Sequence, residues 1–134
     1  MKLKTCFFFV LCYFFSFIAC DNVELPPSET PEFCEDIEVP FYNTTVKPII
    51  ESSCAYAACH AAGGIGPGNY NSYEGLLNHL ESGSFKNRVI NIKDNEILGM
   101  PPNNSVYPES IRDDLTEEEL EIMECWLDSG YPEG

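Results

Sequence analysis

The chain has 134 residues, which is enough for one small domain, and no segment of it is repeated. It carries 22 acidic and 7 basic residues, so its formal net charge is −15 at pH 7. This balance disfavours nucleic-acid binding, which needs a basic surface, and it favours partners that present basic surfaces. Keeping a tethered protein soluble is an equally simple reason for the charge.

The first residues have the pattern of a signal peptide. Lys2 and Lys4 precede an apolar run that ends with Ala19 and Cys20. The run is too short to be a convincing transmembrane helix. A cysteine directly after a small residue resembles the lipobox of bacterial lipoproteins, which implies that residues 1–19 are a lipoprotein signal peptide and that Cys20 is lipidated. The alternative is an ordinary secretory signal that happens to contain Cys20.

Under the lipoprotein interpretation the protein is lipid-anchored in the bacterial cell envelope, either periplasmic or surface-exposed, and it contacts the membrane through the lipid alone. Residues 20–33 then form the lipidated cysteine and an acidic, proline-rich linker that is predicted to be flexible. Residues 34–134 form the predicted domain. In an oxidising compartment the cysteines of such a domain are normally consumed by disulfides, metals or haem. They are Cys34, Cys54, Cys59 and Cys125.

The domain is predicted to be mostly helical. Thr44 is a good N-cap for a first helix, which should run toward Cys54. A second helix is predicted to begin near Asn71, which is spaced from Glu74 as in a capping box. Gly83 is a suitable stop for this second helix.

Two further helices are predicted in the rest of the chain. Apolar side chains recur at helical spacing between Phe85 and Ile92, which favours a short helix, and the alternative is an extended segment over residues 89–92. Residues 93–111 are predicted to be a loop. The last helix has the clearest start, because Thr116 and Glu119 form a capping-box pair. Its apolar face comprises Leu120, Ile122, Met123, Trp126 and Leu127. No alternating strand pattern is present, so the predicted fold class is all-α.

The stretch from Cys54 to His60 contains two cysteines separated by four residues, with the histidine directly after the second. Two thiols can add to the vinyl groups of a haem as thioethers, and the adjacent imidazole can ligate the iron. The common haem motif has two residues between the cysteines, so the longer spacing requires the backbone to bulge or unwind. A Cys54–Cys59 disulfide is one alternative. A zinc site with His60 is another, for which His79 is the only other histidine.

Met100 lies in a Gly-Met-Pro-Pro segment and is the candidate ligand for the opposite face of the iron. Its thioether is a soft, neutral ligand, and the two prolines would stiffen the loop that carries it. The alternative is an ordinary loop methionine. His79 is a rival ligand that is expected at a helix surface, and Met123 is explained by the apolar face of the last helix.

Several segments of the chain occur in an order that resembles the small c-type cytochrome domains of bacterial envelope lipoproteins, including those fused to planctomycete-type cytochrome modules. They are residues 46–50, 54–60, 73–76, 100–102 and 115–130. The resemblance covers residues 41–131 and implies a cytochrome c-like fold with about four helices around one covalent haem c.

The resemblance implies four haem-binding residues: Cys54, Cys59, His60 and Met100. The cysteines would form the thioethers, His60 would be the proximal iron ligand and Met100 the distal one. The resemblance also implies that the two ends of the domain meet, which predicts a disulfide between Cys34 and Cys125. The haem would supply an apolar surface for six side chains: Ile49, Ile50, Leu76, Leu80, Trp126 and Leu127.

The leading hypothesis is therefore a one-electron carrier and not an enzyme, because two axial ligands leave no open position on the iron. Its partners would be redox proteins, with basic docking surfaces suggested by the charge. One alternative is a haem-free lipoprotein that binds a protein partner and is stapled by Cys54–Cys59 and Cys34–Cys125 disulfides. A haem peroxidase is a third hypothesis, and it would need an open iron site.

Overall fold

A computed structural model describes residues 31–35 and 38–134. The predicted signal peptide, the predicted lipidation site at Cys20 and the predicted linker up to residue 30 lie outside these described residues. Within the described ranges, no helix combines the length and the apolar character that a membrane crossing requires.

The described part of the chain contains four α-helices and no strand, which confirms the all-α class for these residues. The α-helices are α1 (Lys47–Ser53), α2 (Tyr73–Glu81), α3 (Ser84–Lys86) and α4 (Glu117–Asp128). A π-helical turn, Tyr42–Val46, leads directly into α1, and a second, Asn87–Asn91, continues α3. Glu32–Cys34 forms a short 3-10 turn, so Glu32 and Phe33, which belong to the predicted flexible linker, lie in a helical turn.

Helix α4 begins as predicted. The Thr116 hydroxyl accepts a hydrogen bond from the Glu119 backbone N–H, and the Glu119 carboxylate accepts one from the Thr116 N–H. This reciprocal pair satisfies two donors that a helix start otherwise leaves free. Met123, Trp126 and Leu127 of the predicted apolar face are buried.

Trp126 is fully buried at the centre of the core. Its ring lies 6.1 Å from the ring of Tyr42 and 6.4 Å from the ring of Phe85, measured between centroids. The indole N–H donates to the Pro132 carbonyl at 3.0 Å, and the Tyr42 backbone N–H donates to the same oxygen. The C-terminal tail is therefore folded back over α4 and held against the start of the domain.

The cap of α2 differs from the prediction. Ser72, and not Asn71, is the N-cap, and its hydroxyl accepts from the Gly75 N–H at 3.2 Å. Ser72 has the extended backbone that an N-cap requires, so its side chain reaches the first turn. Gly83 adopts φ +70° one residue after the helix C-cap, as the predicted stop requires.

The N-cap of the first helix also differs from the prediction. Thr44 lies inside the π-helical turn Tyr42–Val46, and Val46 is the N-cap of α1, although the helix runs toward Cys54 as predicted.

The other chain-order predictions agree with the structure. Residues 85–92 are helical over most of their length, in Ser84–Lys86 and Asn87–Asn91, and residues 93–111 contain no helix. Cys34 and Cys125 are at disulfide-bonding distance with Cα atoms 5.5 Å apart, which is the pairing that the resemblance implied. The bond joins the 3-10 turn to α4 across a sequence separation of 91 residues.

Candidate functional site

A cavity of about 390 Å³ lies between the loop after α1, the junction of α2 and α3, and the loop before α4. All four predicted haem-binding residues line it: Cys54, Cys59, His60 and Met100. Most of the remaining wall is apolar, with Ile65, Tyr70, Phe85, Val89, Pro101 and Pro102. The fold thus brings together residues that are separated by up to 46 positions in the sequence.

The loop between the two cysteines has a defined shape. Helix α1 ends at Ser53, so Cys54 is its C-cap and the residues that follow leave the helix. The Cys59 N–H donates to the Tyr56 carbonyl at 2.9 Å, and the His60 N–H donates to the Cys54 carbonyl at 3.0 Å. The four intervening residues therefore form a turn, which is the local unwinding that the long cysteine spacing predicted.

Side-chain hydrogen bonds hold this turn against the loop before α4. The Ile111 N–H donates to the Tyr56 hydroxyl at 3.2 Å. The Arg112 guanidinium donates to the Ser53 hydroxyl at 2.8 Å and also binds the Glu119 carboxylate through both oxygens. Contacts on both sides of Cys54 thus fix the end of α1 to the start of α4.

Cys54 and Cys59 are both free thiols in the structure, with Cys54 buried and Cys59 half-buried. Burial, with a smaller contribution from the neighbouring Cys59, raises the pKa of the Cys54 thiol to about 12. Cys54 is therefore a neutral thiol at physiological pH. Across the described ranges, no three His, Cys, Asp or Glu side chains are grouped closely enough to hold a metal ion.

His60 is buried and held in one orientation. Its Nδ1 lies 2.9 Å from the carbonyl oxygen of Pro67, which can only accept, so Nδ1 carries the proton and Nε2 keeps its lone pair. Desolvation by burial is the main reason that the pKa of His60 is lowered, which favours the neutral ring. A neutral imidazole with one nitrogen fixed by a carbonyl is the form that ligates metals.

The glycine-rich segment after His60 allows the backbone to approach both histidine rings. A Cβ at Gly66 would lie 2.7 Å from Cε1 and Nδ1 of His60. A Cβ at Gly68 would lie 2.6 Å from Nε2 of His79, and Gly68 also has φ +88°. Residue 66 must therefore be glycine if the His60 ring is to keep this position.

Met100 is held by contacts to the turn that continues α3. Its backbone N–H donates to the Arg88 carbonyl at 3.1 Å, and the Arg88 guanidinium donates to the Leu98 carbonyl at 3.1 Å. Gly99, between these anchors, is buried, and a Cβ there would collide with the Lys93 carbonyl oxygen. Arg88 thus fixes the backbone on both sides of Gly99 and so limits where the Met100 side chain can lie.

The prediction that His79 lies at the helix surface is wrong. It is half-buried and lines the same cavity as His60. Its Nδ1 lies 3.3 Å from the Ser84 hydroxyl, and its ring meets the edge of Tyr70 at a centroid distance of 5.3 Å. Helix α2 packs with this side inward, so a second imidazole is available on the cavity wall.

The predicted packing residues lie elsewhere. All six are buried in the hydrophobic core: Ile49, Ile50, Leu76, Leu80, Trp126 and Leu127. None of them lines the cavity. Phe85 and Tyr70, which do line the cavity, connect it to Trp126 through ring contacts. The centroid of Phe85 lies 6.4 Å from that of Trp126 and 5.9 Å from that of Tyr70.

Four residues of the site were not identified from the sequence: Gly66, Pro67, Tyr70 and Arg88. The run of glycine and proline between residues 63 and 68 was a visible signal, although it predicted only an irregular loop. Nothing in the sequence marks Tyr70 or Arg88, because their roles depend on the path of that loop and on how α3 packs.

The chain matches no protein-family model, no curated protein and no solved structure.

Proposed function

We propose that the chain is a single-haem c-type cytochrome, a membrane-anchored one-electron carrier of the bacterial envelope. One observation carries the proposal: a neutral, oriented His60 shares a mostly apolar cavity with two free thiols and a methionine. In the oxidising compartment of an exported protein, two neighbouring thiols are normally consumed by a disulfide, a metal or a haem. A haem has two vinyl groups to which thiols can bond.

The donor set fits a haem c. Cys54 and Cys59 would provide the two thioether links, His60 would ligate the iron through Nε2, and Met100 would supply the second axial ligand. A bound haem supplies reversible one-electron exchange between ferric and ferrous iron. The chain's own residues would hold the group, fix the imidazole through Pro67 and exclude water with the apolar wall.

Two axial ligands would leave the iron without an open position, so the proposal is for electron transfer and not for catalysis. His79 is the alternative to Met100 as second ligand. Met100 is preferred because Arg88 fixes the backbone on both sides of Gly99. The contact of His79 Nδ1 with Ser84 leaves Nε2 of His79 available, so His79 stays the alternative that experiment must test.

The proposed anchor is a lipid on Cys20, joined to the domain by residues 21–31. A tether of this kind leaves the domain free to meet partners near the membrane surface. The domain would work in the periplasm or at the cell surface.

A haem stain tests the proposal directly. The chain is expressed with a haem-maturation system, and a denaturing gel is stained for haem peroxidase activity. A stained band is expected for the wild type, with loss or strong reduction in Cys59→Ala. A colourless wild type with a Cys54–Cys59 disulfide would reject the cytochrome and support the haem-free binding module instead.

The distal ligand is tested by absorbance. The iron–thioether charge-transfer band is expected in the oxidised wild type and should be absent from Met100→Ala. Met123→Leu is the matched control, because Met123 is buried in the core and does not line the cavity. Retention of the band in Met100→Ala, or a bis-histidine spectrum that is lost in His79→Gln, would overturn the assignment of Met100.

A further inference from the structure

Buried polar groups are concentrated at the loop that carries the two free cysteines. Apart from tyrosine, tryptophan and cysteine, three polar side chains are buried in the described part of the chain: Ser53, His60 and Ser110. Ser53 directly precedes Cys54, and His60 directly follows Cys59. Burying a polar group is costly unless it is hydrogen-bonded, and a satisfied buried network gives its surroundings one defined shape. The fold therefore specifies the shape of this loop.

A short segment before α4 holds the cysteine loop at two points. We use the name clamp segment for Ser110, Ile111 and Arg112. The Ile111 N–H donates to the hydroxyl of Tyr56, which lies between the two cysteines. The Arg112 guanidinium donates to the hydroxyl of Ser53, at the end of α1. The Ser110 hydroxyl donates to the Arg112 carbonyl at 2.7 Å and lies 3.4 Å from the Tyr56 hydroxyl, so the two points are connected.

Backbone hydrogen bonds extend this restraint to both cysteines. The Cys59 N–H donates to the carbonyl of Tyr56, so the residue that the clamp segment holds also positions Cys59. On its other side, the Cys59 carbonyl accepts from the Gly66 N–H at 3.0 Å. The Cys54 N–H donates to the Ile50 carbonyl at 2.8 Å, which ties Cys54 to α1. These contacts limit how far either cysteine can shift toward the other.

Two reactions compete for the sulfur atoms of Cys54 and Cys59. In thioether formation, the sulfur bonds to the vinyl carbon next to the ring, the thiol hydrogen goes to the terminal carbon, and no electron is lost. In disulfide formation, the two thiols lose two electrons and two protons to an oxidant such as glutathione disulfide, which becomes two thiols. The sulfur atoms must then approach to about 2 Å, whereas they are unbonded in this structure.

We propose that the clamp segment is a positioning device for the cysteines. It holds Cys54 and Cys59 apart as two thiols, each available to one vinyl group, and it disfavours the disulfide between them. The long spacing gives the device its purpose, because four intervening residues leave a loop more freedom than two. Tyr56 is the positioning residue, since its hydroxyl contacts the clamp segment and its carbonyl holds Cys59. The inference rests on the proposed function, because the vinyl groups belong to the proposed haem.

The disulfide equilibrium of the haem-free chain tests the clamp segment without the cofactor. The full chain is produced without haem maturation and equilibrated in glutathione buffers, and the disulfide between the two cysteines is measured by thiol alkylation and peptide mass spectrometry. Tyr56→Phe removes the hydroxyl that accepts from Ile111, and Ser53→Ala removes the hydroxyl that accepts from Arg112. The equilibrium constant for disulfide formation should rise by roughly threefold to tenfold in each variant, because one hydrogen bond no longer has to be broken.

Each variant has a matched control. Tyr131→Phe also removes the hydroxyl of a half-buried tyrosine, and Tyr131 does not line the cavity. Within the described ranges, the tyrosine hydroxyls that take part in hydrogen bonds are those of Tyr56 and Tyr73. Ser129→Ala removes a serine hydroxyl at the end of α4, where it donates to the Trp126 carbonyl. Both controls should stay within about twofold of the wild-type equilibrium constant.

The haem-loaded chain gives a second readout. The absorbance of its pyridine haemochrome distinguishes two thioether links from one, because a remaining vinyl group extends the conjugation of the ring and moves the band to longer wavelength. Two links are expected in the wild type and in the controls. The fraction of chains with a single link should be about threefold larger or more in Tyr56→Phe. A merely structural role of Tyr56 would lower the free energy of unfolding and leave both readouts at the wild-type level.

The outcomes distinguish this inference from the proposed function. Disulfide equilibria of Tyr56→Phe and Ser53→Ala at the wild-type value would overturn the clamp segment even if haem is attached. Two thioether links in Tyr56→Phe at the wild-type level would overturn its role in attachment. A wild-type chain that takes no haem, but whose disulfide equilibrium shifts in both variants, would reject the electron carrier and keep the clamp segment as the device that separates the thiols.

Discussion

The imidazole of His60 lies flat against the ring of Tyr70, with centroids 4.1 Å apart and ring planes 4° apart. The hydrogen bond from His60 Nδ1 to the Pro67 carbonyl fixes the rotation of the imidazole about the side-chain bond that carries it. Contacts within the chain therefore set both the position and the rotation of the imidazole without a cofactor. Such prior ordering lowers the entropy that ligand binding would otherwise cost.

Removing the Tyr70 ring should release His60. Tyr70→Leu is expected to destabilise the fold by about 1–3 kcal/mol, since the ring is buried and stacks on a second aromatic group. Tyr70→Phe keeps the stacked ring and is the matched control, so it should stay within about 1 kcal/mol of the wild type. Guanidinium unfolding followed by circular dichroism measures both. Equal stability of the Leu and Phe variants would show that the stack contributes nothing.

Gly66 should be intolerant of the smallest side chain. A Cβ there would lie 2.7 Å from the His60 ring, so Gly66→Ala must displace either the ring or the loop. The expected cost is about 1–3 kcal/mol, together with reduced haem per mole of protein. Gly63→Asn is the control, because its position has open space and asparagine tolerates a positive φ. Wild-type haem content in Gly66→Ala would contradict the close approach.

Local signals predicted more of the fold than of the site. The start of α4 was predictable because the Thr116–Glu119 capping box depends only on residues three positions apart. The Asn71 prediction was wrong by one residue, since Asn71 and Ser72 are both good caps and only the backbone conformation separates them. The side of α2 that faces inward, and with it the place of His79, depended on tertiary packing.

In the candidate site too, local sequence predicted some features and tertiary packing determined the others. Residue spacing identified the possible donors Cys54, Cys59, His60 and Met100, because the chemistry requires those side chains. The contacts that orient them could not be predicted, since the Tyr70 stack and the Arg88 hydrogen bond join segments of the chain through an irregular loop. The pairing of Cys34 with Cys125 was available only through a family resemblance, because spacing alone does not determine disulfide connectivity.

Arg88 should control the stability of the Met100 ligand without controlling the fold. Arg88→Gln removes the guanidinium donor to the Leu98 carbonyl and keeps the backbone bond to Met100. If Met100 ligates the iron, the charge-transfer band should disappear at milder denaturant, by about 1 kcal/mol, while helical circular dichroism is unchanged. Lys93→Gln is the control, because Lys93 lies in the loop that carries Met100 and its side chain binds Asp94. A band as stable as that of the wild type would show that Arg88 does not position Met100.

The disulfide should be the largest single covalent contribution to stability. In the chain-entropy model, a loop closed over a separation of 91 residues contributes roughly 4–5 kcal/mol. Cys34→Ala and the double variant with Cys125→Ala should lose similar amounts, because either one abolishes the bond. Denaturant unfolding under non-reducing conditions measures the loss. A cost below about 1 kcal/mol would mean that the two ends remain associated without the bond.

The Arg112–Glu119 pair should shape the response of the fold to acid. The guanidinium hydrogen bonds lower the pKa of Glu119 from 4.5 to about 2, and the bonds from Thr116 act in the same direction. Because the folded pKa lies below the unfolded one, this group's stabilisation is complete above pH 4.5 and is lost as pH falls toward 2.

Protonation of the other carboxylates relieves electrostatic repulsion in the same pH range, so the acid profile of the wild type must be compared with that of a variant. Glu119→Gln should lower the melting temperature at pH 7 and show a smaller further loss between pH 4.5 and 2 than the wild type. Glu118→Gln, whose carboxylate is exposed on the same turn, should follow the wild-type profile. Parallel acid profiles for wild type and Glu119→Gln would show that the ion pair does not link the folding of α4 to pH.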